Sequence, residues 1–86
     1  MRIQRKKSFL KMYEKLSAKK KEKVNETILK FQRNPFDETL KNHALKGEFA
    51  GCRSISAGGD LRIIFREFEG YIVVVFLHVG THSQVY

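Results

Sequence analysis

Residues 51–79 read GCRSISAGGDLRIIFREFEGYIVVVFLHV and contain most of the valine and isoleucine residues of the chain. This stretch divides into three largely apolar segments, Gly51–Ala57, Asp60–Phe68 and Gly70–Val79, which are separated by Gly58-Gly59 and by Glu69-Gly70. Glycine-containing pairs between β-branched and aromatic residues are typical of tight turns that join antiparallel strands. The stretch therefore predicts a three-stranded antiparallel meander. The unbroken apolar run 71–77 predicts that the third strand is the most buried and lies at the centre of the sheet.

The residues before this stretch carry two helical patterns. Apolar side chains recur at three- and four-residue spacing in residues 9–16 and again in residues 24–31, as in amphipathic helices. Ser8 is a candidate start of the first helix, Ser17 marks the break between the two, and the Asn34-Pro35 pair ends the second. We therefore expect an antiparallel helical hairpin.

The first residues, Met1–Gln4, contain the alternating sequence Arg2-Ile3-Gln4, which predicts one further short strand. Together the patterns predict an α+β fold, in which the N-terminal helical hairpin packs on a curled, mainly antiparallel sheet of three or four strands. Because the chain has 86 residues and contains no repeat or linker, residues 1–86 are expected to form a single domain.

Composition narrows the class of protein. Cys52 is the only cysteine, which excludes an intramolecular disulfide and a four-cysteine zinc cluster and favours a reducing compartment. The longest apolar run is far shorter than the roughly 20 residues of a membrane-spanning helix. The N-terminus has no signal-peptide pattern. We expect a cytoplasmic protein with no membrane partner.

The charge is strongly positive and unevenly distributed. Seventeen Lys and Arg against nine Asp and Glu give a net charge of +8, and residues 1–46 alone hold fourteen basic and five acidic side chains. The lysines at 19, 20, 21 and 23 either solvate an exposed helix face or contact a polyanion. Because the surplus is concentrated in one half of a small chain, it favours a nucleic acid as the partner.

The three histidines, His43, His78 and His82, lie outside the most hydrophobic segments. Four residues of strand would separate His78 from His82 by roughly 13 Å, so their spacing does not predict a zinc site. Histidine beside arginine in a basic protein is suited to RNA cleavage without a metal. In that reaction the 2′-hydroxyl attacks the adjacent phosphate, which requires a base, an acid and cations.

The segments His43-Ala44-Leu45-Lys46-Gly47, Gly51-Cys52-Arg53 and 59–65 resemble the middle of toxins of the RelE superfamily. The ending, residues 80–86 with the sequence GTHSQVY, is similar to the tail of the YafQ branch of that superfamily. The resemblance implies a type II toxin that cuts messenger RNA at the ribosome and needs no cofactor. It also implies a cognate antitoxin, expected to be acidic because the toxin is basic, and a toxin that is monomeric alone and hetero-oligomeric with that antitoxin.

The resemblance implies catalytic roles for His82, His43, Asp60 and Arg62, with Arg62 contacting the scissile phosphate and His82 taking part in acid-base chemistry. The residues expected to bind RNA are Arg53, His78, Tyr86, Lys46, Lys19, Lys20, Lys21 and Lys23, of which Tyr86 would stack on a base. Four alternatives stay open. Arg62 could instead pair with Glu67 or Glu69, and Asp60 could be a turn residue. His43 could serve only as a hydrogen-bonding residue of a loop, and Tyr86 could be a frayed terminal residue.

The sequence departs from the YafQ pattern at three positions. Ser56 stands where that branch has a second central histidine, His78 where it has an arginine, and Leu61 where it has an aromatic residue after the aspartate. Replacing arginine by histidine removes a permanent positive charge. Two alternative functions therefore stay open: a ParE-like module that inhibits DNA gyrase, and a catalytically weakened toxin that retains antitoxin binding.

Overall fold

The structure is a computed structural model that describes residues 1–86, and it contains three helices and one sheet. The elements are β1 (Arg2–Arg5), α1 (Lys7–Glu14), α2 (Ala18–Arg33), β2 (His43–Ala44), β3 (Arg53–Ser56), β4 (Leu61–Phe68), β5 (Val73–Thr81) and α3 (His82–Val85). Two single-turn 3₁₀ helices, Glu38–Leu40 and Gly47–Phe49, flank β2. None of the helices combines the length and the hydrophobicity that would be needed to cross a membrane.

The sheet has five strands in the order β1-β5-β4-β3-β2. Strand β1 pairs with β5 in parallel, and the other neighbours are antiparallel. The α+β class and the meander are confirmed, but the predicted count of three or four strands is wrong. Strand β2 was missed because His43–Ala44 is too short to show an alternating pattern. The predicted centre is also wrong, since β4 lies in the middle and β5 lies next to the β1 edge.

The helices occupy nearly the predicted residues, although the predicted start is wrong. Helix α1 begins at Lys7 and not at Ser8, whose hydroxyl instead donates to the Leu77 carbonyl at 2.6 Å. Ser17 is the N-cap of α2, where its hydroxyl accepts from the Lys20 N–H at 3.2 Å. Helix α2 ends at Arg33, as the following Asn34-Pro35 pair predicts.

The hairpin placement was inexact: the two helices contact each other through one hydrogen bond and one ion pair, and their shortest ring contacts are with different strands. The ring of Phe9 from α1 lies 5.3 Å from that of Phe76 on β5, whereas Phe31 from α2 lies 5.0 Å from Phe65 on β4. Each of these four phenylalanines is at most 1% exposed, and burial of each ring stabilises the fold by about 1.5–3 kcal/mol. We call this side of the sheet the helix-covered face; its strand residues include Ile55, Ile63, Phe65, Val74 and Phe76.

A β-bulge decides which side chains reach the opposite side. Ile64 pairs with His78 and Phe65 with Phe76, so Leu77 is an extra residue in β5. Because side chains alternate along a strand, this insertion turns His78 away from Phe76 while keeping Val79 in the main core. We call the second side the open face; its strand residues include His43, Ser54, Arg62, Ile64 and His78.

Candidate functional site

The open face contains a cavity of about 410 Å³ that is lined by His43, Leu45, Arg62, His82 and Tyr86. Four of these five residues are ones that the sequence analysis proposed for the RNA site. They come from β2, from β4 and from the segment after β5, so the sheet brings together residues that lie up to 43 positions apart in the sequence. The cavity is therefore the candidate functional site.

His43 is oriented by a carbonyl two residues before it. Its Nδ1 lies 2.8 Å from the oxygen of Lys41, whose left-handed backbone (φ 52°) ends the preceding 3₁₀ turn. A carbonyl oxygen can only accept a hydrogen bond, so we infer that Nδ1 carries the proton. In the neutral ring, Nε2 then presents a lone pair that can accept a proton.

Arg62 is held at the cavity by one end of its guanidinium group. Its Nη1 donates to the carbonyl of Gly59 at 2.8 Å, to that of Leu61 at 3.1 Å and to the Ser56 hydroxyl at 3.3 Å. The predicted alternative, an ion pair with Glu67 or Glu69, is not present, since the only ion pair in the structure joins Lys21 to Glu14. The Nε and Nη2 donors have no partner within the chain and remain available to an anion.

His82 opens the one-turn helix α3, and a capping box fixes that helix. The Gln84 Oε1 atom accepts from the Thr81 N–H at 2.8 Å, and the Thr81 side chain bonds the backbone at Gln84 in return. Gly80 permits this packing, because a Cβ there would lie 2.8 Å from Gln84 Oε1. The His82 ring lies 4.5 Å from the Tyr86 ring. The capping box thus fixes the backbone at His82, and the imidazole itself contacts the Tyr86 ring.

Asp60 contributes to the site through its backbone. Its carbonyl accepts the His82 N–H at 2.9 Å, which ties α3 to the turn before β4. Its side chain is exposed and does not line the cavity. This arrangement fits the turn alternative better than the proposed catalytic role.

The structure does not bring three of the predicted RNA-binding residues into the cavity. Arg53 donates from Nε to Asn42 Oδ1 at 2.8 Å and lines a separate depression beside Glu67. The His78 ring packs edge-on against Phe49 at 6.2 Å. Lys46 is exposed and precedes the 3₁₀ turn Gly47–Phe49. Arg53 and Arg62 thus line different depressions of the surface.

The four lysines in the first half of α2 lie in different environments. Lys19 and Lys20 are exposed, whereas the Lys21 ammonium lies 3.7 Å from Glu14 and 5.7 Å from the centre of the Tyr13 ring. Lys23 lines a second cavity, of about 330 Å³. The four lysines that were expected to bind RNA thus do not form one uniform surface.

The three departures from the YafQ pattern also lie outside the cavity lining. Leu61 is 3% exposed and belongs to the main core, and Ser56 accepts from Arg62 Nη1 and from the Gly58 N–H at 3.3 Å each. Within residues 1–86, no three His, Cys, Asp or Glu side chains come together as a metal-ligand group.

Sequence reasoning missed Leu45 in the cavity lining, and it missed Gln84 as the residue that fixes α3. No pattern distinguishes Leu45 from other loop residues. The spacing Thr81-x-x-Gln84 is a capping-box signature, which would have predicted a helix start at His82.

Comparisons with known proteins agree along the whole chain. A family model described as the bacterial toxin of type II toxin–antitoxin system, YafQ, matches residues 1–86. YafQ from E. coli strain BL21(DE3) is 20% identical, with 100% of this chain and 99% of that chain covered and a TM-score of 0.81. A YoeB/ParE toxin from Agrobacterium tumefaciens is 26% identical, with 95% and 99% covered and a TM-score of 0.78. A chain of the E. coli DinJ–YafQ complex is 22% identical, with 100% and 99% covered and a TM-score of 0.72. No curated protein matches at a significant level.

Proposed function

The chain belongs to the YafQ family of bacterial type II toxins, and from this premise we propose that it is a metal-independent endoribonuclease that cleaves messenger RNA at the ribosome. Toxins of the YafQ and RelE type are endoribonucleases. The observation that carries the proposal is the single cavity lined by His43, Arg62 and His82. It provides two imidazoles and one guanidinium group, which are the groups that the reaction needs. We propose residues 1–86 as one toxin domain.

In the proposed mechanism, His43 is the general base. Its Nε2 takes the proton of the ribose 2′-hydroxyl, and the resulting oxygen attacks the adjacent phosphorus. His82 donates a proton to the leaving 5′-oxygen as the P–O bond breaks, giving a 2′,3′-cyclic phosphate and a 5′-hydroxyl. Each proton transfer of this kind contributes about 10²–10⁴-fold in rate.

The other site residues bind and orient the message. The unpartnered Nε and Nη2 donors of Arg62 would bind the negative charge that develops on the phosphorane. The Tyr86 ring, which lies tilted against the His82 ring, would stack on a base of the substrate. Asp60 would act through its carbonyl, which holds the backbone of His82.

The proposed partners follow from charge and from the relatives. One solved relative is the YafQ of a DinJ–YafQ toxin–antitoxin complex, and we propose that this chain likewise binds an acidic antitoxin and is monomeric without it. Lys19 and Lys20 are exposed and make no ion pair, which suits docking on ribosomal RNA. Action at the ribosome implies a cytoplasmic location.

The test is cleavage of a defined message in a purified translation system by the wild type, by His82→Ala and by Ser83→Ala. Ser83 is an exposed neighbour in the same helix and serves as the matched control. We expect cleavage by the wild type and by Ser83→Ala, and at least a hundredfold loss in His82→Ala. Equal activity in all three proteins would contradict the proposed role of His82.

Metal dependence needs a separate measurement, because ribosomes themselves require magnesium. A short free RNA is incubated with a high concentration of toxin, with and without EDTA, and the products are examined for a 2′,3′-cyclic phosphate. Cleavage that EDTA abolishes would overturn metal independence. An absence of wild-type cleavage in both assays would favour the alternative, a binding module of the ParE type or a weakened toxin.

A further inference from the structure

The cavity of about 330 Å³ lies at the end of β3 that β2 leaves uncovered. Strand β2 pairs only with Arg53 and Ser54, so the remainder of β3 faces α2 and the 3₁₀ turn Glu38–Leu40 instead of another strand. Lys23 and Lys30 line this cavity from α2, and Ser56 and Gly58 line it from the sheet side. It is therefore a cleft between the most basic helix and an open sheet edge.

This cleft adjoins the candidate catalytic cavity through one side chain. Ser56 lines the cleft, and its hydroxyl accepts from Nη1 of Arg62, which lines the catalytic cavity. The Ser56–Arg62 hydrogen bond, at 3.3 Å, thus joins a residue that lines the cleft to a residue that lines the catalytic cavity.

The charges of the cleft leave lysine donors available. The Lys23 ammonium makes no hydrogen bond or ion pair in the chain. The Lys30 ammonium donates to the Thr39 hydroxyl at 2.9 Å and has two further donors. Thr39 in turn donates from both its hydroxyl and its N–H to Asp37, and these bonds, together with the nearby positive charge of Lys30, lower the pKa of the Asp37 carboxyl. Glu26 also lines the cleft but lies beyond ion-pair distance of either lysine.

We propose that this cleft binds the backbone phosphates of the single-stranded RNA that flanks the scissile nucleotide, with Lys23 and Lys30 as the phosphate contacts. This inference rests on the proposed function. It extends the part of the RNA that the toxin contacts from one phosphodiester to several nucleotides. It separates two pairs of lysines in α2: Lys23 and Lys30 contact the message, whereas Lys19 and Lys20 do not. The Glu26 carboxylate repels the same phosphates.

The experiment measures binding without cleavage. Fluorescence anisotropy follows wild-type toxin binding to a labelled hexanucleotide whose riboses are 2′-O-methylated, and to the matching dinucleotide, across a series of salt concentrations. The variants are Lys23→Gln/Lys30→Gln, Glu26→Gln and the charge-matched control Lys7→Gln/Lys11→Gln, at two exposed lysines of α1 that make no ion pair. Thermal unfolding of each variant checks that the fold is retained.

We expect Lys23→Gln/Lys30→Gln to weaken hexanucleotide binding by roughly tenfold at low salt and to reduce the salt slope by about 1.4, since each phosphate contact on a single strand contributes about 0.7. Glu26→Gln should strengthen that binding. Dinucleotide binding, and the control on the hexanucleotide, should change by less than about twofold.

Three results would overturn the inference: equal weakening by both double variants, unchanged binding by Lys23→Gln/Lys30→Gln, or no hexanucleotide binding by the wild type. The proposed function is judged separately, by cleavage in the translation system. If the toxin cleaves there but shows any of these three results, the proposed function stands and the cleft is not an RNA-binding site.

Discussion

The two faces of the sheet differ in what their side chains do. The helix-covered face has thirteen buried residues in one core that includes four phenylalanines, whereas the open face has a buried cluster of only three, Cys52, Ile64 and Val85. The histidines and Arg62 lie on the open face or at its end. A small chain thus obtains its stability mainly on one side of a sheet and leaves the other side for a polar cavity.

Because the helix-covered face supplies most of the stability, the largest effect on stability is expected at Phe31. This residue is fully buried against Phe65, Phe76 and Tyr71. Phe31→Ala should lower the free energy of unfolding by about 3–5 kcal/mol, because it removes a buried ring and leaves a cavity. Urea unfolding followed by circular dichroism measures this change. The control is Leu29→Ala on the same helix, where the side chain is 58% exposed and a change within about 0.5 kcal/mol is expected. Equal effects of the two variants would contradict the proposed division.

On the open face, a substitution at His43 should affect cleavage much more than stability. His43→Ala should reduce cleavage by about 10²–10⁴-fold, because the general base is lost, and should change the free energy of unfolding by less than about 1 kcal/mol, because the side chain is exposed. Cleavage is measured as a function of pH, and the limb that reports the base should disappear. A loss of activity that merely follows a loss of folded protein would show that the open face is structural.

Gln84 distinguishes positioning from catalysis on the open face, because it would act on His82 without touching the substrate. Gln84→Ala removes the acceptor of the Thr81 N–H, so α3 should loosen and the turnover rate should fall by roughly fivefold with little change in KM, in line with about 1 kcal/mol for a lost cap. Gln84→Glu preserves the capping box and should restore the rate. The pH profile should keep its shape, because both imidazoles remain. A changed profile, or no recovery with Gln84→Glu, would rule out a positioning role.

Much of the fold follows from the sequence, because glycine turns and apolar periodicity are local signals. The meander, both long helices and the end of α2 at Asn34-Pro35 are examples. The position of β5 in the sheet could not be predicted, because it depends on the parallel pairing of Arg2–Arg5 with residues some 70 positions away. The bulge at Leu77 is equally non-local, and it determines the side of the sheet on which His78 lies.

The candidate site was predictable to a similar extent. His43, Arg62, His82 and Tyr86 were named from the chemistry and from the resemblance, and the fold brings them around one cavity. Arg53 was misplaced because its pairing partner is Phe65, which puts it on the helix-covered side of β3. The alternation of side chains along a strand shows which face a residue occupies only when the register of that strand is known.

The smallest expected effect concerns two serines on the same strand and the same face. Ser54 is fully buried, and its hydroxyl has no hydrogen-bond partner, whereas the Ser56 hydroxyl accepts from Arg62 and from Gly58. A buried polar group without a partner is destabilising, so Ser54→Ala should leave the free energy of unfolding unchanged or raise it by up to about 1 kcal/mol. Ser56→Ala should lower it by about 0.5–1 kcal/mol and loosen Arg62. Urea unfolding of the two variants measures the difference.

Ser54 also bears on activity, because it lies opposite His43 in the sheet register. A gain in stability joined to a loss of cleavage in Ser54→Ala would show that the open face retains a destabilising hydroxyl for its chemistry. A loss of stability in Ser54→Ala larger than in Ser56→Ala would show the reverse, that this hydroxyl supports the fold.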